Sequence, residues 1–147
     1  MTKDDDEKLL IDIVKRRGED FVLKSLNARD GDRRELTIVS NAGLHPIPYD
    51  YVRGEIFIAS EGNLDFSDIE SVNSELDKIA QNLKTLLFSE KWTHVYLLPF
   101  GHSSISLTIK MTVFRLLRIE TIDIFYFGSG KYDYLERDSR SAILRIT

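Results

Sequence analysis

The chain has 147 residues, 42% hydrophobic and 30% charged, the size and balance of one globular domain rather than a disordered segment. It has no cysteine, which excludes a disulfide framework, a thiolate metal site and a cysteine nucleophile. A net charge of -4 argues against coating long nucleic acid, no apolar run approaches the ~18 residues that cross a bilayer, and the start is polar and acidic rather than a signal peptide, so a cytoplasmic protein is expected.

Leu9, Leu10, Ile13, Val14, Phe21, Val22 and Leu26 predict a first helix over about 5–26, with a break or bend at Gly18. Asp4 to Glu7 suit its positive N-terminal end. Residues 27–34 read as a charged linker, so residues 1–30 form an N-terminal helix and linker attached to the rest of a single domain spanning 1–147. Residues 35–40 read as a strand that stops at the turn Asn41-Ala42-Gly43. The stretch 44–51 carries Pro46 and Pro48, so it should be extended but irregular, or an edge segment, because proline cannot donate to a ladder.

A second strand is expected over 54–60. After a loop, Asp65 is a candidate N-cap for a helix whose face is set by Ile69, Val72, Leu76, Ile79, Leu83 and Leu86. Residues 92–98 form a strand ending at Pro99. A helix over 103–117 is apolar almost all round, which predicts burial on more than one side, under another helix or in a dimer interface. Residues 121–127 are the last strong strand, and 131–147 read as two short strands around Asp138-Ser139. The alternation of strand and helix calls for parallel strands joined by right-handed crossovers. The expected fold is a Rossmann-like three-layer α/β domain with a mainly parallel central sheet and extra edge strands.

In such a sheet, ligands sit beyond the carboxyl ends of the strands. Those ends are Ser40 to Gly43; Ser60, Glu61, Gly62 and Asn63; Pro99, Phe100, Gly101, His102, Ser103 and Ser104; and Gly128, Ser129, Gly130 and Lys131. Gly, Ser and Asn dominate, and they let backbone approach a ligand while offering N–H and hydroxyl donors. The start of the 103–117 helix is a natural anion site, although Ser103 could equally be a plain cap and His102 solvated. Gly128 to Lys131 could cradle a ligand or simply turn the chain into the next strand. Tyr132 and Tyr134 could stack on a base or pack on the sheet. His94, within a strand, reads as structural.

The Walker ending, the three-glycine dinucleotide fingerprint and the Gly-x-Ser-x-Gly elbow are all missing. His45, His94 and His102 are too scattered for a metal site, so no metal and no cofactor is expected. A Ser-His-acid set could be drawn only from Ser103, His102 and Glu61, and adjacent residues rarely face each other. Recognition of a small phosphate-bearing ligand is therefore preferred to catalysis.

The run Val95-Tyr-Leu-Leu-Pro-Phe-Gly-His-Ser-Ser, the helix from Ile105 to Leu117, and Ile122-Asp-Ile-Phe-Tyr-Phe-Gly-Ser-Gly-Lys-Tyr resemble the cyclic-oligonucleotide sensor domains of bacterial antiviral defence, the CARF and SAVED group. The likeness covers about a third of the chain. It implies binding of a cyclic nucleotide or oligoadenylate, commonly across a dimer, with Gly101 to Ser104 at phosphate or base. The chain carries no obvious effector, so the partner would be a second copy or a separate effector protein. Two other readings stay open: a small ring nuclease or phosphodiesterase helped by His102, and a plain protein-interaction module.

Overall fold

A computed structural model describes residues 3–22 and 33–138, and the chain divides into two compact units, Met1–Arg33 and Arg34–Thr147. In the first unit, α1 spans Lys3–Arg17, with Asp4, Asp5 and Asp6 in its first turn and Lys15, Arg16 and Arg17 in its last. Both ends thus carry charge that opposes the helix dipole. The helix expected over 5–26 is interrupted at Gly18, whose φ is 85°, and helical residues resume at 19–22. None of the residues of α1 is buried. The linker up to residue 32 lies outside the described residues.

The second unit is a mixed α/β domain. In chain order it comprises β1 (Glu35–Val39), β2 (Glu55–Ile58), α2 (Ile69–Ser89), β3 (His94–Leu98), α3 (Ser103–Leu117), β4 (Ile122–Gly128) and β5 (Lys131–Glu136). They build one five-stranded sheet in the order β2-β1-β3-β4-β5. The first four strands are parallel and β5 runs antiparallel to β4. β1 and β3 lie inside the sheet and are buried on both faces, which is why each reads as a nearly unbroken hydrophobic run.

Alternation along the strands splits the core in two. Leu36, Ile38, Val95 and Leu97 face Ile79, Leu83 and Leu87 of α2 and Ile105, Ile109 and Val113 of α3. Val39, Tyr96, Leu98, Ile122 and Ile124 face the opposite way, under Ile47, Tyr51, Tyr132 and Tyr134. Full burial of such a side chain contributes about 1.5–3 kcal/mol. The division follows from right-handed crossovers. The β2-to-β3 and β3-to-β4 connections step the same way along the sheet, so α2 and α3 share a face. The β1-to-β2 connection steps the other way and crosses the opposite face.

That connection is the proline-containing stretch. It does not add an edge strand. It forms a 3-10 turn at Tyr49–Tyr51 and lies over the second core, where the Tyr51 carbonyl accepts from the Tyr134 hydroxyl at 2.8 Å. Tyr132 and Tyr134 pack on the sheet through this contact and through the Tyr51 ring. The antiparallel edge strand is β5; the second tail strand expected after Asp138-Ser139 falls outside the described residues.

Two details of α2 differ from the sequence reading. Ile69 is 76% exposed and Leu87 takes a core position instead. The N-cap is Asp68, not Asp65: the Asp68 carboxylate accepts from the Ser71 backbone N–H at 2.7 Å, while Asp65 accepts from Ser67 in the preceding turn. The bonds from Ser71 hold the Asp68 carboxyl below its ordinary value. A lowered folded-state value means the stabilisation is present above the ordinary aspartate value and is lost as pH falls through the folded one. Asp68→Asn keeps a capping oxygen but does not titrate. Wild type should therefore lose more stability than Asp68→Asn between neutral and acid pH in urea unfolding, whereas parallel losses would contradict the assignment.

No described helix is long and apolar enough to cross a membrane.

Candidate functional site

The connections diverge between β1 and β3, since one crosses to the proline-rich face and the other leads into α3. In an open α/β sheet this divergence opens a crevice at the strand ends. The β1 end is built from buried polar groups. Ser40 is fully buried; its N–H donates to the Leu98 carbonyl at 3.1 Å, and its single hydroxyl proton is shared between the Leu98 and Phe100 carbonyls. The Ser60 hydroxyl donates to the Ser40 carbonyl at 2.6 Å. These bonds lock the ends of β1, β2 and β3 together.

Asn41, 2% exposed, extends the network. Its Nδ2 donates to the Gly62 carbonyl at 2.9 Å, and its side chain lies against Gly101. One residue just past the end of β1 thereby ties the 60–63 loop to the 99–104 loop. Its Oδ1 is buried and has no hydrogen-bond partner among the described residues.

α3 begins without a side-chain cap. His102 occupies the N-cap position with extended φ and ψ of -65° and 138°, and makes no side-chain capping bond. The contrast with α2, capped by Asp68, is physical: at α2 a carboxylate already accepts from the first turn, whereas the first-turn amides of α3 receive no such acceptor. Gly101, His102 and Ser103 are exposed. Ser103 is the first helical residue rather than the cap, and the Ser104 carbonyl accepts from the Thr108 hydroxyl within the helix at 2.8 Å. The His102 ring packs on Phe66 with centroids 4.8 Å apart and makes no hydrogen bond to a serine or carboxylate among the described residues.

Beside these ends, on the face opposite α2 and α3, lies a groove of about 800 Å³. One wall is His45, Pro46, Ile47 and Pro48, the floor is Pro99 and Phe100, and the far wall runs from Ile124 to Tyr126 with Gly130 and Tyr132. His45 and Phe100 stack at 5.2 Å, and Tyr126 and Tyr132 at 5.0 Å. The lining is apolar and aromatic and contains no lysine or arginine. It suits a flat ring more than a bare anion.

The expected loops come together only in part. Ser60, Glu61 and Gly62 meet the β1 end, with Glu61 bridged to Ala42 and Gly62 held by Asn41. Phe100 joins the groove and Gly101 joins the Asn41 network. Asn63, Ser129 and Lys131 are exposed and line neither. Gly128-Ser129-Gly130-Lys131 is the hairpin between β4 and β5: Ser129 and Gly130 both have positive φ, the signature of a two-residue type I′ turn, and only Gly130 reaches the groove. His94 starts β3 half-buried, its Nδ1 2.9 Å from the Thr93 hydroxyl.

Sequence reasoning missed the wall from His45 to Pro48 and the exposed aromatics of β4. Their signal was present as a proline and aromatic cluster, but assigning it needed the strand order. No protein-family model, no curated protein and no solved structure matches this chain.

Proposed function

We propose that the chain is a ligand-sensing domain that binds a nucleotide or cyclic oligonucleotide at the carboxyl ends of its sheet strands and signals through oligomerisation. The observation that carries this reading is the adjacency of two complementary features: an aromatic groove with room for a nucleobase, lined in part by Pro99 and Phe100, and the uncapped start of α3 at His102, two residues further on. The base would stack among His45, Phe100, Tyr126 and Tyr132, and phosphate would meet the amides from Gly101 to Ser104. Without a basic side chain in the lining, stacking supplies most of the affinity. The strand order β2-β1-β3-β4-β5, which matches a doubly wound sheet, supports the Rossmann-like three-layer reading of the fold. The likeness of residues 93–137 to CARF and SAVED domains supports the same ligand class from sequence.

Recognition is favoured over ring-nuclease chemistry because His102 faces Phe66 rather than a nucleophile or a carboxylate. A thermal-shift screen of mono-, di- and cyclic oligonucleotides tests the proposal. A ligand at a hundredfold excess over its Kd adds about 2.7 kcal/mol, on the order of 10 °C in Tm for a chain of this size. Phe100→Ala should remove the shift while leaving a folded protein. No shift with any nucleotide would overturn the reading, and conversion of a cyclic oligoadenylate, followed by chromatography, would replace it with the enzymatic one.

A further inference from the structure

The helix α3 buries Ile105, Ile109 and Val113 but exposes a second apolar row, Leu107, Met111 and Phe114, at 58%, 69% and 47%. These three sit at helical spacing on one stripe. The stripe continues onto the sheet. Lys110 reaches across to Asp123 of β4 at 2.7 Å, which sets α3 beside that strand. Beyond Asp123, on the same face of the sheet by strand alternation, stand Phe125, which also borders the groove, and Phe127, 44% and 67% exposed and in edge-to-face contact at 5.0 Å. On β5, Leu135 pairs with Asp123 and is 40% exposed. The exposed area of these six side chains is roughly 700 Å², against about 800 Å² per partner in a standard interface and a few hundred for an ordinary surface patch.

The two ends of this face complement each other. At the carboxyl end of β4 a phenyl ring, Phe127, projects. At the other end a hollow of about 130 Å³ opens between Phe114, Leu135 and Arg137 over Lys110, Glu120, Thr121 and Asp123, a volume that admits one phenyl ring against the apolar rim of Phe114 and Leu135. Charge follows the same polarity: Asp133 lies on this face near the Phe127 end, and Arg137, one residue past the end of β5, lies at the hollow, the two equally spaced in sequence about Leu135.

We propose that this face joins two copies of the chain about a two-fold axis lying across the strands. Each Phe127 enters the partner's hollow, each Asp133 meets the partner's Arg137, and Met111 and Leu135 lie near the axis. A two-fold contact of this kind closes on itself, so assembly stops at the dimer. The inference deepens the oligomeric half of the sensing proposal by naming its surface. Its test contains no nucleotide, so a failed dimer leaves ligand binding standing, and a failed ligand screen leaves the dimer standing.

Sedimentation equilibrium of the full chain over the micromolar range should give a monomer–dimer equilibrium built on the 17.0 kDa monomer. Met111→Glu should weaken association by at least about tenfold, the effect of a charge at an interface centre, with an unchanged circular dichroism spectrum. Asp133→Arg and Arg137→Asp should each weaken it, and the two together should restore it. Should Met111→Glu fail to fold, the charge exchange alone decides. A monomer throughout, an open series of larger species, or association indifferent to these variants would overturn the proposal.

Discussion

Replacing Gly54 with alanine is expected to unfold the Arg34–Thr147 unit or to remove more than about 4 kcal/mol of its stability, a large share of what a domain this size holds. Gly54 lies where the β1-to-β2 connection drops into β2, with φ of 66°. A Cβ there would stand 1.9 Å from the Glu35 carbonyl oxygen and 2.5 Å from the carbonyl carbon. The obstacle is backbone, so no side chain can swing aside. Nor can the connection retreat, because the buried Thr37 hydroxyl pins it, donating to the Arg53 carbonyl at 2.7 Å and accepting from the Arg53 N–H at 2.9 Å. Relief would have to come from shifting β1 against β2, whose register runs from Leu36 opposite Glu55 to Val39 opposite Ile58. Gly62→Ala is the control. Its φ of 65° is nearly the same but nothing lies within 4 Å of the added carbon, so it should cost only the left-handed backbone term of about 1–2 kcal/mol. Equal urea midpoints for the two variants would contradict the close approach at Gly54.

Legibility in the sequence tracked how local each determinant was. β1 and β3 were readable because strands buried on both faces must be apolar throughout, and α3 because Pro99 and Gly101 stop the strand just before it; its bounds at 103 and 117 are those expected. The start of α2 was displaced by three residues because Asp65 and Asp68 each have a serine placed to bond back, and only Asp68 adjoins the helix. Ile69 keeps the helical spacing yet is exposed, since spacing identifies a stripe without saying how far along it the sheet extends. The largest gap lay at 44–51. Prolines excluded a ladder, but that the segment would roof the second core depends on β2 lying to the far side of β1, a non-local fact. The same gap hid the His45–Pro48 wall of the groove, while Pro99 and Phe100 of its floor were identified by their place at the carboxyl end of a parallel strand.

Those strand ends supply the second large effect, at Gly101. Alanine here should cost about 2–3 kcal/mol and abolish nucleotide-dependent stabilisation. The φ of 81° is left-handed, which charges a Cβ-bearing residue about 1–2 kcal/mol. The new carbon would also sit 2.9 Å from the Asn41 Cβ and 3.2 Å from its Nδ2. Asn41 would have to give way, and its side chain has one hydrogen bond to lose, the 2.9 Å bond to the Gly62 carbonyl. Losing it in a buried setting adds about 1 kcal/mol and loosens the coupling of the 60–63 loop to the 99–104 loop, leaving only the Ser60–Ser40–Phe100 bonds between them. Asn41→Ala separates the two contributions: it should break the same tether without backbone strain and so destabilise less. If the tether holds the crevice in shape, both variants should lose the thermal shift while Asn63→Ala, outside the network, keeps it. Retention of the shift in Gly101→Ala would place the ligand elsewhere, and a urea midpoint equal to wild type would refute the contact between Asn41 and Gly101.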